Sequence, residues 1–317
     1  MLNLEKSANT LINVFKAALF GYLLKTFCLS FYKVPSNSME NSLIPGDGIL
    51  ISKMTYGPRL YFGELSFFSS SIFQLPGFGR VNRNDVIVFN SPKEQDLILV
   101  KRCIGLPGDI IHIENEKVLL GGKVVHEDVP IYKYWVYTKQ RKEISKVLDS
   151  MRLLTGQFYY RISKGYFVAT LNKRNVNVLK DNKYVDSVKR EIPEDNSPIF
   201  NSWTKDDFGP ITVPKQGTMI ILDSASLSNY ADIIAKENKS VEFSENGVYI
   251  NGLFKTNYTF KNNYYFMMGD NRDNSTDSRW IGFVPESYLI GKVFLVLYSL
   301  DYSKNSLRKN RFLRGVE

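Results

Sequence analysis

The chain opens with an apolar run, Leu11 to Tyr32, before it turns into a long polar and β-patterned body. As a helix that run would measure about 33 Å, enough to cross the hydrocarbon core of a bilayer. Lys16 and Lys25 interrupt it, each at a cost of up to roughly 2.5–3.5 kcal/mol at mid-membrane and less near an end. They are nine residues apart and fall on opposite helix faces, which disfavours a single polar stripe and an interfacial helix. No small-residue cleavage site follows, so the run is expected to stay as an anchor.

Beyond Gly48 the pattern is that of strands. Ile49–Met54, Val86–Phe89, Ile98–Ile104 and Ile110–Ile113 are short apolar or alternating runs, punctuated by Pro107-Gly108 and Gly121-Gly122. Gly57 to Gly79 is expected to be a long aromatic loop. Ile144, Val147, Leu148, Met151 and Leu154 recur at helical spacing, which predicts a helix over Arg141–Leu154. Phe158–Leu179 returns to strand-like alternation, Ser226–Lys236 predicts a second short helix, and Val241–Ile250 with Phe254–Phe260 predicts a hairpin about Asn251-Gly252. Val293–Leu300 is expected to be the last strand. The fold class expected is mainly β. It comprises a short tail over 1–10, an anchor over 11–32 and an antiparallel catalytic body over 33–124 and 265–300. A β-rich insertion with short helices over 125–264 and a basic tail over 301–317 complete it.

Charge adds little to that picture. The 317 residues carry 41 Lys and Arg against 32 Asp and Glu, a formal net charge of +9. The excess is scattered, apart from Lys304, Arg308, Lys309, Arg311 and Arg314 near the C-terminus. Cys28 lies in the apolar run and Cys103 in a predicted strand, so a disulfide is not expected. No zinc-ligand spacing, phosphate-cradling glycine loop or internal repeat occurs.

Candidate chemistry begins at Val34-Pro35-Ser36-Asn37-Ser38-Met39, where the apolar run gives way to the body. A serine there is a candidate nucleophile, and its hydroxyl needs a base. The two histidines, His112 and His126, read as ordinary strand or loop residues. Lys101 sits inside Ile98-Leu99-Val100-Lys101-Arg102-Cys103-Ile104 and shares a strand face with Leu99 and Cys103. Burial there would lower its pKa and make it a neutral amine able to accept a proton. The same pattern also fits an edge-strand lysine that keeps its charge in water. A third stretch, Met267 to Pro285, is a polar loop rich in Asp and Asn. It fails the calcium-loop spacing, since Ser275 and Ile281 stand where Gly and Glu are required.

Together, Pro35–Met39, Lys101–Asp109 and the Gly269–Pro285 loop resemble the bacterial type I signal peptidase family, with Gly46-Asp47 and Arg83–Phe89 as further matching blocks. The resemblance implies a serine protease with a Ser/Lys dyad: Ser38 as nucleophile and Lys101 as general base. It implies Ser36 Oγ with the Ser38 N–H as the oxyanion hole, and Ser275 as the hydroxyl that orients the lysine. Asp270 and Arg102 would tie the loop to the lysine strand, with Asp277 and Arg279 in support. Tyr32, Val34, Pro35, Met39, Leu43, Ile49, Leu99 and Val100 match shallow substrate pockets. Asn37 departs from the glycine common in the family, and Asn tolerates unusual backbone angles. No cofactor or metal is implied. The implied partners are secretory preproteins with small residues at the first and third positions before the cut, and membrane lipid, with no nucleic acid. The implied location is the bacterial inner membrane, single-pass, with the catalytic body on the extracytoplasmic side. Two other readings remain at this point: a self-cleaving Ser/Lys repressor, which would need a soluble DNA-binding domain before the serine, and a non-enzymatic basic protein of the membrane surface.

Overall fold

The computed structural model describes residues 2–60, 73–94, 96–125, 129–155, 159–163, 165–191, 203–244 and 247–316. The helix of the apolar run starts ahead of it, spanning Leu2–Leu23 and taking in most of the stretch expected as a tail over 1–10, and continues as a π-helical turn over Leu24–Cys28. Thr10–Cys28 has a mean hydropathy of 1.4, is long and apolar enough to cross a membrane, and has none of its residues buried. The expected helix end at Tyr32 is corrected: Leu29–Lys33 is a strand paired antiparallel with Asp47–Ser52, Tyr32 opposite Ile49. Its aromatic residues favour strand, and an unbroken apolar run gives no sign of where the period changes from 3.6 to 2.

That strand opens a nine-stranded sheet. Its order is Leu29–Lys33, Asp47–Ser52, Leu289–Asp301, Val86–Asn90, Ile98–Gly105, Tyr264–Met268 and Val284–Pro285; Ser306–Leu307 and Arg314–Gly315 also pair with Leu289–Asp301. Every pairing is antiparallel. Register shifts interrupt the pairing beside Gly48, Leu50, Leu289 and Phe266, and such bulges bend a sheet. Both faces are covered. Val86 and Val88 pack with Val34, Met39, Leu43, Ile49, Ile51, Val293 and Val296, while Ile87 and Phe89 pack with Cys103, Met267, Ile281 and Leu289. Two buried faces explain why Val86–Phe89 reads as continuous apolar sequence. The strand expected over Val293–Leu300 is the longer Leu289–Asp301, and it is not the last, since Ser306–Leu307 and Arg314–Gly315 follow it.

Within the stretch expected as an insertion, two cores appear. The sheet around Ile131–Tyr137, with Tyr159–Ser163, Tyr166–Asn172 and Ser187–Arg190, carries its own cluster of Val136, Ile144, Leu148, Phe167, Leu171, Val176 and Leu179. Residues 203–260 instead share a core with the main sheet, where Phe208, Ile211, Ile234 and Tyr258 meet Ile104, Phe266 and Met268. The helix expected over Arg141–Leu154 is present as Arg141–Thr155, and that over Ser226–Lys236 as Ser224–Glu237, started by an Asp223–Ser226 capping box. Strand-like alternation over Phe158–Leu179 is corrected at its end. Lys173–Lys180 is a helix, capped by the Asn172 side chain on Asn175 N–H, with Val176 and Leu179 buried three apart. Gly247–Ile250 and Leu253–Lys255 form the hairpin at Asn251-Gly252, both at positive φ. Asn257–Thr259, expected in the same hairpin, pairs with Met219–Ile221 instead. Of the long loop expected over Gly57–Gly79, residues 61–72 lie outside the described residues, as does His126, and Arg59–Leu60 pairs antiparallel with Phe73–Gln74.

Candidate active site

Ser38 sits in a hydrogen-bonded turn between the first two strands of the large sheet. Glu40 N–H donates to Asn37 O at 3.0 Å, and Met39 O accepts from Ser42 N–H at 3.0 Å and Leu43 N–H at 2.8 Å. Met39 and Leu43 anchor the turn in the core, both 0 % exposed. Asn41 takes the left-handed backbone of this turn, with φ 108°, and its side chain donates to Val129 O at 2.9 Å. Asn37 does not have positive φ, so no glycine is required there.

The strand Ile98–Gly105 brings Lys101 to that turn. Lys101 Nζ lies 2.7 Å from Ser38 Oγ and 3.1 Å from its neighbour Val100 O. The lysine is 2 % exposed and the serine 8 %. Burial pulls the Lys101 ammonium down to about 8, against the opposing influence of the Asp277 and Asp270 carboxylates. The face shared with Leu99 and Cys103 is therefore a desolvated one, and the solvated edge lysine is excluded. Ser36 Oγ lies 3.4 Å from Ser38 Oγ on the exposed side.

The loop after Tyr264–Met268 closes the site from behind. A Cβ built on Gly269 would lie 2.2 Å from Ser275 Oγ and 2.5 Å from Ser38 O, so the approach of loop to turn needs a glycine. Asn271 N–H donates to Ser38 O at 3.0 Å. Asp270 takes Arg102 through both oxygens, at 2.8 and 2.9 Å, and Ser42 Oγ donates to its Oδ2 at 2.5 Å. Arg102 also donates to Ser42 Oγ at 2.7 Å and Asn84 O at 2.8 Å. Asp277 starts the short helix Ser278–Ile281, pairs with Arg279 at 2.9 Å and accepts from Gly269 N–H at 3.0 Å. Burial alone would raise its carboxyl, but the Arg279 guanidinium and these hydrogen bonds prevail and hold it below the usual carboxylate range. Ser275 Oγ is buried beside Asp277 without a hydrogen bond of good geometry, and the expected bond to Lys101 is not made.

The signal peptidase family, peptidase S26, matches residues 7–298. The chain belongs to this family. It is thus a serine endopeptidase. Signal peptidase I of Buchnera aphidicola subsp. Acyrthosiphon pisum is 29% identical over 308 residues, 95% of this chain and 80% of that protein. Signal peptidase I of Aquifex aeolicus is 26% identical over 292 residues, covering 91% of this chain and 83% of its own. Among solved structures, a signal peptidase I from Enterococcus faecalis aligns with 67% of this chain and 96% of its own, at 18% identity and a TM-score of 0.28.

Of the residues matched to substrate pockets, Val34, Met39 and Leu43 pack with Ile49 in one buried cluster under the Ser38 turn, with half-buried Tyr32 and Val100 against it. Pro35 is exposed, and Leu99 packs toward the other face with Phe89 and Cys103. His112, in the strand Ile110–Glu114, belongs to a separate sheet from Lys101. Sequence reading missed Ser42, which bridges Arg102 and Asp270, and Asp47, which is wholly buried. Nothing in their local sequence marks Ser42; Gly46-Asp47 stood only as a matching block.

Proposed function

We propose that this chain is a membrane-anchored endopeptidase that removes N-terminal signal peptides from secreted preproteins by a Ser/Lys mechanism. The observation that carries the reading is the 2.7 Å approach of a buried Lys101, its ammonium pulled down to about 8 by burial, to Ser38 Oγ. A neutral amine at that distance takes the serine proton as Ser38 attacks the scissile carbonyl, forming the acyl-enzyme and a tetrahedral oxyanion on the way. Ser36 Oγ and the Ser38 N–H are the donors assigned to that oxyanion. The protonated Lys101 then gives its proton to the leaving amine, returns to the neutral state and activates the water that releases the acyl group. Ser275 is assigned to orient the amine during this cycle, through a bond to Lys101 that must form then because it is not made in this structure, while Asp270, Arg102, Asp277 and Arg279 hold the loop and strand that bear it.

Of the residues matched to substrate pockets, exposed Pro35 and half-buried Tyr32 and Val100 form the surface open to substrate side chains, with Val34, Met39, Leu43 and Ile49 buried beneath them and Leu99 packed toward the other face. Small residues at the first and third positions before the cut fit such a surface, and larger ones clash with it. Thr10–Cys28 anchors the body to the bacterial inner membrane on its extracytoplasmic side, where preproteins present their cleavage sites. Lys16 and Lys25 lie within that span, each toward one of its ends, and long lysine side chains so placed can extend to the headgroups.

Incubation of the full-length protein with a secretory preprotein, followed by mass analysis of the products, tests the function. One cut after a small residue, absent in Ser38→Ala, is the expected result. No cut, or a cut that persists in Ser38→Ala, refutes it.

A further inference from the structure

The residues after Asp301, expected as a basic tail, fold back toward the Ser38 turn. Ser306–Leu307 and Arg314–Gly315 pair with Leu289–Asp301, and a 3-10 turn over Lys309–Arg311 lies between them. Val316 packs against the cluster that holds Val34, Met39 and Leu43. Arg308 Nη1 donates to Pro45 O at 3.0 Å and Leu300 O at 2.6 Å. Gly46 lets the strand end come this close: a Cβ there would lie 2.1 Å from Leu300 O, and its φ is +94°.

Arg311 reaches further. It is 3 % exposed and holds wholly buried Asp47 through Nε at 2.9 Å and Nη2 at 2.5 Å. Nη2 also donates to Ser42 O at 2.9 Å. Asp47 in turn accepts from Ile44 N–H at 2.9 Å. Ser42 is thus gripped twice: its carbonyl by Arg311, its hydroxyl by Arg102 and Asp270. Through Met39 O, Ser42 N–H closes the same turn that carries Ser38.

We infer that Arg311 is a positioning residue for the reaction at Ser38, acting through Asp47 and Ser42 on the turn that presents the hydroxyl to Lys101; this rests on Ser38 being the nucleophile. A buried ion pair is a poor device for stability alone, because its desolvation offsets its attraction and an apolar pair fills the same space as well. An apolar pair cannot donate to Ser42 O or accept from Ile44 N–H. The turn is exposed to solvent at Ser36 and is joined to the sheet at its two ends, so its middle needs fixing by such polar contacts. Reaction rates are sensitive to that fixing, since a displacement of about 1 Å costs about a hundredfold.

The test compares full-length Arg311→Ala, Arg311→Lys, Asp47→Asn and Ser38→Ala in preprotein cleavage, at a temperature well below each measured Tm. Lys304→Ala and Lys309→Ala, exposed charges in the same segment, are controls for a general effect of basic charge. Arg311→Ala is expected to lose kcat by about ten- to a hundredfold, with KM close to the parent. Added guanidinium ion should restore part of that kcat, and the Arg311→Ala/Asp47→Asn double variant should fall no further than the worse single one. The two control variants should match the parent. Parental kcat in folded Arg311→Ala, a loss confined to KM, or a kcat loss that guanidinium does not reverse would overturn the inference. If Arg311→Ala does not fold, Arg311→Lys decides: it keeps the charge but cannot span Asp47 and Ser42 together, so kcat should fall, and parental kcat refutes. Cleavage by Ser38→Ala would remove the nucleophile assignment itself. An inactive Ser38→Ala beside an unimpaired Arg311→Ala would remove only the role of Arg311.

Discussion

Lys101 Nζ and Ser38 Oγ lie 2.7 Å apart although 63 residues separate them in the chain. In the sheet, Asp47–Ser52, Leu289–Asp301 and Val86–Asn90 lie between Leu29–Lys33, which leads into the turn, and Ile98–Gly105, and the bulges that bend this sheet let the turn reach the lysine strand. The pair is thus a product of topology, and its chemistry depends on how far burial neutralises the amine.

Activity should follow that neutralisation. With Lys101 brought down to about 8, the acid limb of kcat/KM should show an ionisation near pH 8 and activity should rise through it. A limb near the ordinary lysine value of about 10.4 would show a solvated amine. The pH–rate profile on a preprotein or peptide substrate makes this measurement.

The same burial has a cost in stability. A lysine whose folded pKa lies below its unfolded value binds fewer protons when folded, so stability rises with pH between about 8 and 10.5. Below that window the penalty is complete, on the order of 3 kcal/mol. Lys101→Met should therefore raise stability at pH 7 and gain less at pH 10. Urea unfolding of the parent and the variant at the two pH values checks the sign; an equal gain at both would count against it.

Local pattern alone made Ser38 a candidate, since it follows directly on an apolar run, but left Lys101 open between a buried base and an edge lysine; the resemblance of Pro35–Met39, Lys101–Asp109 and Gly269–Pro285 to a family singled out the pair that the structure brings to 2.7 Å. The helix end was not legible, because Leu29–Lys33 prolongs the apolar run while changing its period. The helix Lys173–Lys180 was hidden because its start depends on the Asn172 cap rather than on a strong apolar stripe. Arg311 was read as one more basic tail residue; its partner Asp47 lies 264 residues away, and no local pattern connects them.

Ser275 separates fold from chemistry. A buried hydroxyl without a well-formed hydrogen bond costs about 1–3 kcal/mol, so Ser275→Ala should leave Tm little changed or raise it. Under the proposed role of Ser275, which needs a bond to Lys101 not made in this structure, turnover should nonetheless fall by about tenfold. An acylating probe should still label Ser38 in the variant. A large loss of Tm with unchanged turnover would make Ser275 a structural residue.

Gly269→Ala should act the other way on geometry. The added Cβ would meet Ser38 O at 2.5 Å and push the serine turn away from the loop. Cleavage should drop by about a hundredfold or more in protein that circular dichroism shows to be folded. Parental cleavage would show that the loop and the turn are free to separate.

Cleavage of a preprotein by well-folded Lys101→Arg decides whether Lys101 is the base. Arginine keeps the positive charge and cannot give up its proton at working pH. The variant should be as inactive as Lys101→Met, because neither side chain accepts the proton of Ser38. Substantial cleavage by Lys101→Arg would show that a charge at this position is enough, and would leave the Ser38–Lys101 mechanism without its base.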